Sequence, residues 1–201
     1  MNITEEVLTK RRIGFFGGTF DPPHHGHIHL VVSLQERYQL DEVWIVPAFQ
    51  NPLKPSHCSP FHRFRMAELA FTRIPGCVVL DVESFREGAS YTIDTVRSLI
   101  ETYPIFGNAS RFLLLGADII NTLHECKEVD ELFRLVQPLV AARGACVVED
   151  PLIREGWADT GLLDISSTDV RERLARGQYV EHLVPPRVVR YIRENRLYGV
   201  V

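Results

Sequence analysis

Short apolar runs separated by helix-length amphipathic segments leave this 201-residue chain few architectures to choose from. The runs RIGFF (12–16), EVWIVPA (42–48), CVVLDVE (77–83) and RFLLLGAD (111–118) read as strands, with PLVAAR (138–143), CVVE (146–149) and LLDIS (162–166) as further strand candidates. Between them, HIHLVVSLQERY (27–38) has helical spacing. SPFHRFRMAELAFTRI (59–74) adds a capping serine and a proline at the first helical position. YTIDTVRSLIETYP (91–104) predicts a helix that ends before Pro104, and EVDELFRLV (128–136) predicts a shorter one. STDVRERLARG (167–177) and PPRVVRYIRENRLYG (185–199) close the chain as two helices. Strands alternating with helices predict an α/β fold, a parallel sheet covered by helices on both faces. Ligands of such sheets bind beyond the carboxyl ends of the strands. Arg63, Arg65 and Arg73 are expected on the solvated side of their helix.

The segments with chemical potential fall at strand ends. GGTFDPPHHGH (17–27) follows the first run directly. Gly17 and Gly18 would let backbone N–H groups approach a phosphate, or would simply make a tight turn. The segment is neither G-x-G-x-x-G nor G-x-x-x-x-G-K-[ST], so it is no dinucleotide fingerprint and no Walker loop. His24 and His27, three apart at a helix start, share one face. Beside the partial positive charge of a helix N-terminus, two imidazoles suit a phosphoryl group in its transition state. Zinc is the competing use of a histidine cluster, but Asp21 is the nearest acid and two prolines separate it from His24. A helix-capping role would explain Asp21 by itself. His25 and His29 read as helix-surface bystanders.

Ser166 to Asp169 fits a capping box, while Ser167, Thr168 and Arg171 add hydroxyls and a guanidinium at the same helix start, as a polyphosphate site would. Gly116 and Asp118, at the end of the fourth strand, could admit a nucleotide or merely turn and cap. Thr92 in SYTIDT (90–95) is either a cap or a ligand contact, and Lys54 in NPLKPS is solvated unless its loop faces the same pocket. No Ser-His-Asp or Cys-His arrangement supports a covalent intermediate.

Composition narrows the partners. Lys and Arg number 22 against 26 Asp and Glu, a net charge of −4, so there is no electrostatic footprint for nucleic acid. No apolar run approaches a membrane span, and MNITEEVLTKRR lacks the apolar stretch of a signal peptide. Cys58, Cys77, Cys126 and Cys146 contain no C-x-x-C pair and read as reduced, mostly buried thiols of a cytoplasmic protein.

Taken in order, GGTFDPPHHGH, SYTIDT, LGAD (115–118) and ISSTDVRERL (165–174) make the chain resemble the bacterial nicotinate-nucleotide adenylyltransferase family, within the nucleotidyltransferase superfamily marked by H-x-G-H. The resemblance runs from Ile13 to about Leu197. It implies a Rossmann-like parallel sheet with a small C-terminal helical portion, one domain over 1–201 with its core at 12–165 and the helical portion at 166–201. It also implies transfer of AMP from ATP to nicotinate mononucleotide, giving deamido-NAD and pyrophosphate in NAD biosynthesis, with Mg2+ accompanying ATP and no dedicated protein metal site. By the same resemblance His24, His27 and Arg171 are catalytic. The Gly17, Gly18, Thr19 and Phe20 backbone cradles the α-phosphate. Ser166, Ser167, Thr168 and Arg171 hold the departing pyrophosphate, and Gly116 and Asp118 line the nucleotide pocket. Lys54 and Thr92 belong to the mononucleotide side. One departure stands out: Cys126 occupies the place where many members carry a tryptophan that stacks on the pyridine ring. That leaves nicotinamide mononucleotide as the rival substrate, besides an inactive nucleotide sensor. A membrane or nucleic-acid partner is not expected; a homo-oligomer is allowed.

Overall fold

The structure, a computed structural model, describes residues 10–51, 55–83, 88–145, 148–161 and 163–200, with the backbone alone for Asn121 and His124. Its elements alternate as the sequence predicts: β1 (Arg12–Gly18), α1 (His25–Arg37), β2 (Glu42–Pro47), α2 (Pro60–Phe71), β3 (Cys77–Val79), α3 (Thr92–Thr102), α4 (Pro104–Gly107), β4 (Ser110–Gly116), a 3-10 segment (Ala117–Glu125), α5 (Val129–Leu135), β5 (Gln137–Ala142), α6 (Pro151–Glu155), β6 (Trp157–Asp159), α7 (Ser167–Ala175), α8 (Pro186–Glu194) and a last 3-10 turn (Leu197–Gly199). All strand pairs are parallel, in the order β3-β2-β1-β4-β5-β6. The sheet grows outward from β1 through β2 to β3, then returns to pair β4 with the other side of β1. This is the Rossmann order, and its switch point lies between β1 and β4.

Strand alternation sorts the core into two layers. Val43, Ile45, Phe112 and Leu114 face one way, onto Leu30, Val31 and Leu34 of α1, Met66 and Phe71 of α2, Val170 of α7 and Val188 of α8. Trp44, Val46, Leu113 and Leu115 face the other way, onto Val96 and Leu99 of α3, Phe106 of α4, Leu132 of α5 and Ile153 of α6. Helices therefore cover both faces. The predicted start of α2 is present: Ser59 accepts a hydrogen bond from the His62 N–H, and Pro60 opens the helix.

Three expectations change. Of LLDIS, Leu162 lies outside the described residues and 163–166 are not in a strand: Leu163 and Asp164 are exposed, and β6 is instead Trp157–Asp159, paired with Val140–Ala142. Of CVVE, Cys146 and Val147 lie outside the described residues; Val148 and Glu149 are not in a strand, and Asp150 caps α6 by accepting from the Leu152 and Ile153 N–H groups. Arg63 is not on a solvated face. It has no exposed surface, whereas Arg65 and Arg73 are exposed as expected.

Candidate active site

A cavity of about 670 Å³ opens at the switch point, within the range of small-ligand sites. Its walls come from segments far apart in sequence: the turn after β1, the start of α1, the end of β4, and the start of α7.

The turn after β1 is built to stop the strand and aim the helix. Gly18 still pairs along β2, and a Cβ there would lie 2.9 Å from the Phe20 ring. Phe20 itself takes a left-handed backbone (φ 50), rare for a residue with a side chain. That conformation turns its ring into the core, edge-on to Phe16 at 5.5 Å, Phe71 at 5.6 Å and His27 at 5.2 Å. Pro22 and Pro23 keep the next residues out of the helix, so α1 begins at His25 with His24 as its extended N-cap.

His24 and His27 stack with centroids 3.6 Å apart. The His24 backbone N–H donates to His27 Nδ1 at 3.2 Å. In a neutral His27 the proton therefore sits on Nε2, which becomes the ring's donor. Burial lowers the pKa of both: His24 to about 4, with the neighbouring His25 adding to it, and His27 well below 6.5, with His24 adding to it. Gly26 lies between them because a Cβ would come within 3.0 Å of His24 Nδ1 and 3.3 Å of the Leu163 carbonyl. Among the described residues the buried His24 Nδ1 has no hydrogen-bond partner, and an unsatisfied buried polar atom is uncommon enough to need a reason.

Across the cavity, Ser166 caps α7 by accepting from the Asp169 N–H at 3.1 Å, as the capping-box pattern predicts. The other polar groups reach back to the first turn. The Ser167 hydroxyl donates to the Pro22 carbonyl at 2.9 Å. Arg171 donates to the Asp21 carbonyl at 2.7 Å and to the Thr168 hydroxyl at 3.1 Å, with guanidinium N–H groups to spare. Two helix N-termini thus meet one cavity, and the partial positive charge of each suits an anion.

Of the residues singled out from sequence, Thr19, Phe20, His24, His27, Gly116, Asp118, Ser166, Ser167, Thr168 and Arg171 line this cavity. Gly17 and Gly18 are not among the lining residues; both belong to the end of β1, opposite Val46 and Pro47. Thr92 is exposed at the first position of α3 and is not among the lining residues. Lys54 lies outside the described residues. Cys126 follows the 3-10 segment and does not line the cavity. Trp44 is stacked on Phe106 in the core, and Trp157 donates its indole N–H to the Gly144 carbonyl, so no indole is among the lining residues. His29 is not among the lining residues; it is half-buried, with its Nε2 2.7 Å from the Thr160 carbonyl.

Sequence reasoning missed four residues. Arg143 brings a second cation to the cavity from the end of β5, a position its place at a strand terminus could have flagged. Asn51 donates to the Thr19 hydroxyl at 3.0 Å. Arg63 donates to the carbonyls of Thr19 (3.0 Å), Ala48 and Phe49 (2.6 Å), joining the turn after β1 to the loop after β2. Asp21 does not cap α1. It is buried and accepts from the His57 N–H (2.6 Å), the Tyr198 hydroxyl (2.6 Å) and the Cys58 thiol (3.1 Å). Burial pushes its pKa up, but these donors and the charge of Arg171 bring it below its usual value.

The cytidylyltransferase-like family model matches residues 15–173. Nicotinate-nucleotide adenylyltransferase of Bacillus subtilis is 38% identical over 190 residues, covering 94% of this chain and 98% of that protein. A probable nicotinate-nucleotide adenylyltransferase of Clavibacter michiganensis is 39% identical over 202 residues, covering 98% of each. Among solved structures, the fold matches that of Plasmodium falciparum nicotinic acid mononucleotide adenylyltransferase complexed with NaAD at TM-score 0.76 and 18% identity, over 95% of this chain and 98% of that one.

Proposed function

Because the chain belongs to the nicotinate-nucleotide adenylyltransferase family, we propose that it joins AMP from ATP to nicotinate mononucleotide, giving deamido-NAD and pyrophosphate. The carrying observation is the pairing of His24 and His27 on one helix N-terminus with Ser166, Ser167, Thr168 and Arg171 on another, around one cavity at the switch point.

In this reading the 5′-phosphate oxygen of the mononucleotide attacks the α-phosphorus of ATP. The bond from that phosphorus to the oxygen bridging to the β-phosphate breaks, and pyrophosphate leaves. No side chain needs to form a covalent bond. His24 and His27 are neutral donors near pH 7 and stabilise charge on the α-phosphate through N–H groups rather than as cations. The start of α7, with Thr168 and Arg171, holds the β- and γ-phosphates as charge accumulates on them. Thr19, Phe20, Gly116 and Asp118 form the nucleotide wall, with Arg143 as an additional cation. Lys54 and Thr92 remain assigned to the mononucleotide side by resemblance.

A magnesium ion entering with ATP would neutralise phosphate charge in the transfer. Among the described residues no group of three or more His, Cys, Asp or Glu comes together as ligands. The cavity instead offers the separate exposed carboxylates of Asp118 and Asp164, which suits an ion held mainly by phosphate oxygens. The whole chain would act as one unit, since α7 from the C-terminal portion completes the site. Among the described residues no helix is long and apolar enough to cross a membrane; a cytoplasmic location and assembly into a homo-oligomer complete the proposal.

Pyrophosphate release with ATP and each mononucleotide tests it. Nicotinate mononucleotide should give the higher kcat/KM. Cys126 and the lack of an indole among the lining residues are the reason to run nicotinamide mononucleotide beside it. Preference for that substrate would shift the acceptor assignment, and no release with either would sink the enzyme reading.

A further inference from the structure

We propose that Tyr198 is a positioning residue of the transfer reaction, acting through Asp21 on the turn that aims His24 and His27. The inference rests on the activity proposed above and adds a part of the chain that the cavity does not contain.

Asp21 stands between the phosphate-facing turn and the two histidines, and it gathers every neighbouring segment. Its carboxylate accepts from the loop after β2, through the His57 N–H and the Cys58 thiol. Its carbonyl accepts from Arg171 of α7. The remaining strong donor is the Tyr198 hydroxyl at 2.6 Å, from a residue 177 positions away in sequence. A buried carboxylate stays charged and fixed only while its oxygens are hydrogen-bonded. The Tyr198 oxygen also lies 3.3 Å from Cys58 Sγ, and with both protons directed at the Asp21 carboxylate the two groups meet there rather than through a bond of their own.

The backbone that delivers this hydroxyl is unusual. Arg196 (φ 49) and Tyr198 (φ 59) both take the left-handed conformation, without being glycine. Two such residues within three positions occur where the surrounding contacts over-determine them. Packing alone would be met by the ring, which lies against the α2 and α8 layer of the core. The hydroxyl is what reaches Asp21. Asp21 and the neighbouring Pro22 are also where the α7 groups Arg171 and Ser167 attach, so movement here would disturb both halves of the phosphate site together.

The test compares Tyr198→Phe, Asp21→Asn and the double variant, with ATP and nicotinate mononucleotide. kcat is taken per folded site, counted by ATP binding. Tyr198→Phe should fold and lose kcat on the order of tenfold, as a small misplacement of catalytic groups does, with KM for either substrate changed less than about twofold. In the double variant kcat should be no lower than in the slower single variant, because both changes break one link. A Tyr198→Phe chain that unfolds, or that keeps wild-type kcat per folded site, overturns the proposal, as do losses that multiply in the double variant. Wild-type protein inactive with both mononucleotides would refute the reaction itself; an active wild type with an undiminished Tyr198→Phe refutes this inference alone.

Discussion

Replacing Arg63 with methionine keeps a long, mostly apolar side chain and deletes the guanidinium. Arg63 has no exposed surface and donates to the carbonyls of Thr19, Ala48 and Phe49. A buried carbonyl left without its donor costs about 1–3 kcal/mol, so three lost donors total roughly 3–9 kcal/mol. Two effects pull the figure down. Burial already lowers the Arg63 pKa, though Asp21 opposes that, so removing the charge relieves a desolvation cost. Water can also follow into a polar cleft. The expected loss is therefore about 3–5 kcal/mol, as for other broken buried charge contacts. For a chain of this size that is a fall in Tm of roughly 10 °C. Urea unfolding followed by circular dichroism gives the stability change, and the fluorescence of Trp44 and Trp157 together reports tertiary structure independently. Arg63→Lys should fall between, since one ammonium cannot match a fork of donors. Turnover should drop in both, because Thr19 lines the cavity. A loss below about 1 kcal/mol in Arg63→Met would refute the claim that the clamp holds these loops.

His27→Ala should lose about 3 kcal/mol of transition-state stabilisation, on the order of a hundredfold in kcat, while remaining folded; a folded variant with wild-type turnover in the pyrophosphate assay would remove His27 from the mechanism. Gly26→Ala should slow turnover about tenfold by pressing on His24, with little change in Tm because alanine favours the helix by about 1 kcal/mol; undiminished kcat would show that the ring has room to move. Stability should be complete above pH 6.5 and fall as the pH drops from 6.5 towards about 4, because His24 and His27 take up protons less readily folded than unfolded. The lowered pKa of Asp21 adds a loss of the same sign at still lower pH. Tm measured from pH 8 to 4.5 checks this, and a Tm that held steady or rose on acidification would contradict neutral, buried rings.

Most of the fold could be read from periodicity. RIGFF, EVWIVPA and RFLLLGAD are apolar enough to be buried on both faces, as the strands of a parallel sheet covered by helices are. Ser59 with Pro60, and Pro104 after α3, marked helix ends through backbone chemistry that acts locally. Local reasoning failed where the deciding contact was remote. LLDIS has the composition of a strand, but its Leu163 and Asp164 are exposed while Trp157–Asp159 takes the pairing with β5. Arg63 fits a solvated helix face until the carbonyls of Thr19, Ala48 and Phe49, from two other loops, are placed around it.

The candidate site divides in the same way. The sequence by itself determined the local chemistry: imidazoles three residues apart at a helix start, a serine cap followed by hydroxyls and an arginine, and glycine at a strand end. These are short-range patterns, set by backbone geometry and residue type. Only the tertiary structure decided that the two helix starts face one cavity and that Gly17 and Gly18 belong to the strand. It alone tied Asp21 to Tyr198, whose hydroxyl and carboxylate meet at 2.6 Å across 177 residues. No periodicity carries such a link, because the partners of a buried charge are set by how the layers pack.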